Sequence, residues 1–182
     1  MPSTPAVSIR PATAADIPAL EALIIRSAAQ LGTGFYSPDQ SAALSREVFG
    51  VDSQLVTDGT YFVMEVDGAT AACGGWSRRS TKFGADKMKT APDRLLDPAT
   101  EPAKIRAFFV DPAMARRGCG SALMRHCATA AAAAGFRQLE LVATMPGVPL
   151  YLAHGFTVVE RFDLTLQDGA VAAPMALMQR AL

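Results

Sequence analysis

One segment of the sequence carries the residue types that bind a bulky anion. Residues 108–123 read FFVDPAMARRGCGSAL, in which an apolar run stops at Pro112 and a helix start follows at Gly118 and Gly120. Helix N-termini present unpaired backbone N–H groups and the positive end of the helix dipole. The two glycines let the backbone approach a ligand without a Cβ in the way, and Arg116 and Arg117 add positive charge. The segment therefore predicts an anion site, and several charged hydrogen bonds together would hold a pyrophosphate.

Two other phosphate-binding patterns do not fit this segment. The pattern GxxxxGK[ST] is absent, and the dinucleotide fingerprint requires a third glycine where Leu123 stands. A glycine-rich helix start that serves packing alone is the remaining alternative to an anion site.

The sequence around this segment supplies the strand and the helix that must position it. Residues 104–110 predict a strand that ends at a proline, and residues 118–134 predict a helix that Gly135 terminates. Further strands are predicted at 7–10, 60–66, 69–77, 136–142, 156–166 and 175–180, and further helices at 13–29, 37–50 and 148–154. Two strand pairs are joined by the turn signals Asp67-Gly68 and Asp168-Gly169.

The order of these elements predicts the fold class. Hairpins combine with one strand–helix–strand crossover, so the sheet must be mixed. We expect an α/β (α+β) fold of three layers, in which a mostly antiparallel central sheet of six to seven strands carries helices on both faces. Residues 1–182 are expected to form one domain, with residues 78–102 as a long loop insertion.

Composition limits the classes of function. Seventeen basic and seventeen acidic residues cancel, which argues against a dedicated binder of nucleic acid or of an anionic membrane. Three cysteines without a CxxC pair do not predict a disulfide framework or a structural zinc site. The N-terminus has no basic and apolar signal segment. We therefore expect a cytoplasmic protein with no metal, nucleic-acid or membrane partner.

The segment V-D-P-A-M-A-R-R-G-C-G at 110–120 resembles the signature of the GNAT superfamily of N-acetyltransferases, V-x-P followed by [QR]-x-x-G-x-[GA]. The predicted order of elements is also similar to that fold over nearly the whole chain. One departure is Ala115, which stands where the family has Gln or Arg.

The resemblance implies that acetyl-CoA lies between two splayed strands, here 104–110 and 136–142. Its pantetheine would pair with the backbone of the first strand like an added strand, which implicates Phe108, Phe109 and Val110. Its pyrophosphate would be bound by the loop residues Ala115, Arg116, Arg117, Gly118, Cys119, Gly120 and Ser121.

A second segment, PLYLAHGF at 149–156, is similar to the family pattern that ends in Y-x-x-x-G-F. The resemblance implies that Tyr151 protonates the departing CoA thiolate as the general acid. A phenol with a pKa of about 10 stays protonated at neutral pH, whereas a thiol has a pKa of about 8.5. A helix tyrosine that only packs is the alternative.

The sequence does not identify a general base. The family position that holds a glutamate corresponds to about Lys104, and Glu101, Glu65 and Glu140 are the other candidates. A lysine-like amine must lose a proton of pKa about 10.4, which costs roughly 4 kcal/mol at pH 7.4. A water chain, or an acceptor amine of lower pKa, is an alternative to a dedicated base.

Within the loop insertion at 78–102, six basic residues stand against four acidic ones. This surplus suggests that Arg78 and Arg79 border the acceptor entrance and favour an acceptor that carries a carboxylate or phosphate. A solvated loop without a role is the alternative.

The sequence as a whole predicts direct transfer of an acetyl group from acetyl-CoA to a primary amine of a small molecule or a protein, by a monomer or homodimer. A non-catalytic acyl-CoA-binding or regulatory domain is the alternative.

Overall fold

The computed structural model describes residues 5–81 and 93–182. In the described residues, five α-helices and seven strands follow one another along the chain in an order close to the predicted one. In chain order they are β1 (Val7–Pro11), α1 (Ile17–Leu31), α2 (Pro38–Glu47), α3 (Ser53–Thr57), β2 (Tyr61–Val66), β3 (Ala69–Ser77), β4 (Ala103–Val110), α4 (Cys119–Ala133), β5 (Gln138–Thr144), α5 (Val148–Ala153), β6 (Thr157–Leu166) and β7 (Val171–Ala181).

The strands form one sheet in the order β1-β2-β3-β4-β5-β7-β6. Neighbouring strands are antiparallel except β4 and β5, which are parallel and are linked by the crossover helix α4. The predicted mixed and mostly antiparallel sheet of six to seven strands is therefore confirmed. No helix in the described residues is both long and apolar enough to cross a membrane.

Successive side chains of a strand point to opposite faces of the sheet, and helices cover the apolar side chains on both faces. Tyr61 and Val63 pack with α1 on one face, whereas Phe62 and Met64 pack with α4 on the other. Helix α2 covers β6 and β7 through Leu44. The predicted arrangement of helices on both faces is confirmed.

The parallel pair β4 and β5 separates soon after it begins. The paired residues are Ala103 with Leu139 and Lys104 with Glu140. Beyond them the two strands run on to Val110 and Thr144 without pairing to each other. Because parallel strands end at the same edge of a sheet, this separation opens a wedge at the edge where α4 and α5 begin.

A β-bulge bends β4 beside the wedge. Cys73 of β3 faces Phe109, but Gly75 faces Arg106, so β4 holds one residue more than β3 between these pairs. Ala107 takes up the extra residue with a left-handed φ of 52°. The Oη of Tyr61 donates a hydrogen bond of 3.0 Å to the carbonyl oxygen of Ala107. A Cβ on Gly74 would lie 2.4 Å from the ring of Phe108, so any larger residue here would force that ring to move.

Several boundaries differ from the prediction. Helix α3 was not predicted, because five residues are too short to show a helical period. Strand β7 begins at Val171 instead of 175, within an alanine-rich segment whose pattern does not indicate a strand. The two ends of the predicted loop 78–102 pair with each other, since Ser80 donates its backbone N–H to Arg94 and Leu96 donates to Arg78. The middle of that loop, residues 82–92, lies outside the described residues.

Candidate active site

A cavity of about 180 Å³ occupies the wedge between β4 and β5 and extends beneath α1 and α2. Three of the predicted cofactor residues, Phe108, Phe109 and Val110, line it from β4. The other lining residues come from α1, α2, α5, the segments next to these helices and the end of β5: Ser27, Ala28, Leu31, Gly32, Tyr36, Ser41, Leu44, Phe49, Thr144, Pro146, Gly147, Leu150 and Tyr151.

The edge of β4 that faces β5 suits an extended ligand. Beyond Lys104 this edge is not paired with β5, so its backbone groups can bind a chain that lies along the strand. The bulge at Ala107 changes the direction of the groups that follow it in Phe108 and Phe109. Tyr61 holds the carbonyl of that bulge from the neighbouring part of the sheet.

The glycine-rich segment follows β4 directly, next to the cavity and not within its walls. Asp111 caps a short 3-10 turn at Pro112–Met114 by accepting the N–H of Ala113. Arg116 and Gly118 then adopt left-handed φ values of 62° and 84°. Helix α4 begins at Cys119, so its first N–H groups have no partner within the helix.

The two glycines of this segment have different surroundings. A Cβ on Gly118 would meet no atom within 4 Å, so this position is open to a ligand. A Cβ on Gly120 would lie 3.2 Å from Leu150 and 3.5 Å from Val110. Gly120 therefore allows α4, α5 and β4 to pack closely, which is a role that the sequence pattern alone did not distinguish from ligand approach.

Tyr151 lines the cavity from α5 and is almost fully buried. Its ring packs edge-on against Phe156 at a centroid distance of 5.8 Å. Burial raises the pKa of Tyr151 above its ordinary value, and the nearby Cys127 raises it further. Among the described residues, no protein group forms a hydrogen bond with the Tyr151 hydroxyl.

A second phenol, Tyr36, reaches the cavity from the connection between α1 and α2. Its Oη accepts the backbone N–H of Met145 at 2.9 Å and donates to the carbonyl of Pro174 at 3.0 Å. Burial raises the pKa of Tyr36 above its ordinary value. Nothing in the sequence marks this residue, because a lone tyrosine in a loop carries no motif and both partners are distant in sequence.

The carboxylates considered as bases lie elsewhere in ion pairs. Glu65 pairs with Arg10 at 2.8 Å, Glu101 pairs with Arg94, and Glu140 pairs with Lys104. None of the three lines the cavity. Within the part of the chain that the structure describes, the cavity walls contain no Asp, Glu, His, Lys or Arg.

Arg78 and Arg79 lie at the other end of the sheet. They follow Ser77, which pairs with Lys104 at the start of β4, whereas the cavity lies at the end of that strand. The Nε of Arg79 is 2.8 Å from a carboxylate oxygen of Asp58, and the guanidinium of Arg78 lies over the Trp76 ring. The structure therefore does not bring these two arginines to the cavity, where the sequence suggested an acceptor entrance.

Comparison with known proteins agrees with this geometry. Residues 57–158, more than half of the chain, match the family model described as an acetyltransferase (GNAT) domain. The chain belongs to the GNAT family. A search of curated proteins finds no match.

Solved structures of GNAT proteins share the fold over nearly the full chain. A GCN5-related N-acetyltransferase from Rhodopseudomonas palustris superimposes with a TM-score of 0.71 at 19% identity, covering 99% of this chain and 97% of that one. The yncA protein of Salmonella typhimurium, solved with its cofactor acetyl-CoA, gives 0.64 at 16%, covering 97% and 94%. The ribosomal-protein-S18-alanine N-acetyltransferase of Escherichia coli gives 0.59 at 18%, covering 97% and 94%.

Proposed function

We propose that this GNAT protein transfers an acetyl group from acetyl-CoA to the primary amine of an acceptor by direct attack. The observation that carries the proposal is the cavity in the β4–β5 wedge, which Tyr151 and the unpaired edge of β4 line together. Acetyl-CoA in the yncA structure of the same fold supports this choice of donor.

The residues around the wedge fit acetyl-CoA. The unpaired edge of β4 at Phe108, Phe109 and Val110 suits the pantetheine chain, which carries amide groups that can pair with a strand. The open position at Gly118 and the free N–H groups at the start of α4 suit the pyrophosphate. Arg116 and Arg117, both exposed at this helix start, add charge that attracts it.

We assign the role of general acid to Tyr151. In the transfer, the amine nitrogen forms a bond to the thioester carbon, the carbon–sulfur bond breaks, and the sulfur takes a proton from the Tyr151 hydroxyl. The nitrogen loses one proton to water, and water returns a proton to the Tyr151 phenolate. A raised pKa keeps that hydroxyl protonated at neutral pH. Tyr36 is less suited to this step, because its only hydroxyl proton is already donated to the carbonyl of Pro174. Backbone N–H groups near Val110 would polarise the carbonyl oxygen.

The described walls of the cavity contain no charged side chain that could act as a general base for the acceptor amine. An amine that enters must release its proton to solvent, or through water, before it attacks, because no ionisable base lines the described walls. For an amine with a pKa of about 10.4 this deprotonation costs roughly 4 kcal/mol at pH 7.4. Amines of lower pKa therefore react faster at neutral pH for the same fit.

The proposal is tested by incubating the protein with acetyl-CoA and a panel of primary amines, with released CoA measured by a thiol reagent and acetylated products by mass. Amine-dependent release of CoA supports the proposed transfer. A large decrease of this release in Tyr151→Phe supports the role of Tyr151 as the general acid. Binding of acetyl-CoA without transfer to any amine would instead support a non-catalytic acyl-CoA-binding domain. A cytoplasmic location, an acceptor amine on either a small molecule or a protein, and a monomeric or homodimeric state stay predictions.

A further inference from the structure

The acceptor side of the cavity has apolar walls. The residues that face β4 from α1, α2 and the segments after them are mainly aliphatic or aromatic: Ala28, Leu31, Leu44 and Phe49. Hydroxyl groups are the only polar side-chain groups among the described lining residues, and they come from Ser27, Ser41, Thr144 and the two tyrosines.

Carboxylates that lie close to the cavity in sequence already have partners. Asp111 follows the lining residue Val110 and forms an ion pair of 2.8 Å with Arg26. Glu47 lies at the end of α2 and accepts the backbone N–H of Gln167 at 3.2 Å. Neither side chain lines the cavity.

These walls discriminate between classes of amine. A charged group that leaves water without a counter-charge or hydrogen-bond partners is strongly disfavoured. Each methylene that leaves water for an apolar wall improves binding about fourfold. A volume of about 180 Å³ is also below the usual range for pockets that hold drug-sized ligands.

We propose that the acceptor is a compact monoamine with an alkyl or aryl body and without a second charge. This inference rests on the proposed function, since it names the acceptor class for the same site. It disfavours polyamines and amines that carry a carboxylate or a phosphate. It thus reverses the acceptor preference that the basic residues of 78–102 suggested.

Three amines of equal chain length test the proposal. Hexylamine, 1,6-diaminohexane and 6-aminohexanoate differ only in the group at the far end, which is apolar, cationic or anionic. We expect kcat/KM for hexylamine to exceed that for each of the other two at least tenfold. Equal or higher kcat/KM for the diamine or the amino acid would overturn the proposal.

A pair of variants on α2 locates the effect in the cavity. Ser41→Glu places a carboxylate at the wall, and we expect it to shift the preference towards the diamine at least tenfold. Ala42→Glu makes the same change on the neighbouring exposed position and should leave the ratio unchanged. Equal shifts in both variants, or no shift in Ser41→Glu, would show that the cavity does not bind the acceptor body.

Binding measurements separate this inference from the proposed transfer. If acetyl-CoA binds but none of the three amines releases CoA, the proposed transfer fails. Calorimetry of the same amines with the CoA-bound protein then tests the cavity directly. Tighter binding of hexylamine than of the diamine supports the inference, and equal or weaker binding overturns it.

Discussion

Tyr61→Phe should lower both stability and turnover, because this substitution removes the hydroxyl that holds the β4 bulge. Tyr61 is fully buried, and its Oη is 3.0 Å from the carbonyl oxygen of Ala107. Burial raises the pKa of Tyr61 well above its ordinary value, so the hydroxyl remains a neutral donor. Loss of the donor leaves a partly buried carbonyl without this partner, at a cost of about 1–3 kcal/mol.

Strain in the bulge adds a functional effect. Ala107 holds a left-handed φ of 52°, a conformation that costs a non-glycine residue roughly 1–2 kcal/mol. Without the hydrogen bond from Tyr61, the bulge can relax towards a regular strand and shift the backbone of Phe108 and Phe109. A displacement of 1 Å at a reacting centre lowers turnover by up to about 100-fold. We expect kcat to fall between tenfold and 100-fold.

Thermal melting and steady-state CoA release together measure these effects. For a chain of this length, 1 kcal/mol corresponds to a fall in Tm of about 2–4 °C. The matched control is Val63→Ala on the same strand, since Val63 is buried in the same cluster but carries no polar atom. Both variants should lose stability, and only Tyr61→Phe should lose kcat at temperatures where both are folded. The same fall in kcat for both variants, or none for Tyr61→Phe, would refute a positioning role.

Other substitutions test the remaining parts of the site. Tyr151→Phe should lower kcat about 100-fold with little change in KM for acetyl-CoA, whereas equal kcat values would exclude the hydroxyl as the acid. Gly118→Ala should weaken acetyl-CoA binding about tenfold by calorimetry, because its Cβ would occupy space that is open to the ligand; unchanged affinity would place the pyrophosphate elsewhere. Burial raises the pKa of Tyr151, so kcat/KM should rise with pH towards the pKa of the amine, about 10, and a decline beginning near pH 8 would contradict this. Arg79 lowers the pKa of Asp58, so the stability lost in Arg79→Ala should be largest above pH 4 and disappear as the pH falls and the Asp58 carboxylate is protonated. The KM for the acceptor should stay unchanged in this variant, and a changed KM would indicate that Arg79 contacts the acceptor.

Local signals explain why the order of elements was predictable. The side chain of Ser37 accepts the N–H of Gln40 and the Gln40 side chain accepts the N–H of Ser37, as their spacing at a helix start predicts. Asp67 and Gly68 both take the positive φ values that a two-residue hairpin turn requires. Each of these contacts joins residues that are close in sequence, so the residue types alone indicate it.

The features that sequence analysis missed depend on distant contacts. Nothing near Ala107 marks it for a left-handed conformation, because the partner that holds it is Tyr61 on another strand. Asp52 caps α3 and also pairs with the buried Arg106 at 3.0 Å, which fixes a helix too short to be stable by itself. Tyr36 is placed by partners 109 and 138 residues away. Local sequence patterns do not predict contacts between residues so far apart in the sequence.

The short pairing between β4 and β5 is the junction between two half-sheets, and each half-sheet comes from a different part of the chain. Strands β1 to β4 come from residues up to 110, strands β5 to β7 come from residues after 137, and two residues on each strand join these half-sheets. A ligand chain bound along the edge of β4 supplies hydrogen bonds that the sheet itself lacks there. Binding of the ligand should therefore make the junction between the half-sheets more rigid. Amide hydrogens of residues 105–110 should exchange with solvent more slowly in the acetyl-CoA complex, while those of β2 change little. A cosubstrate bound in the proposed way would therefore brace two half-sheets that the polypeptide itself joins through two residue pairs.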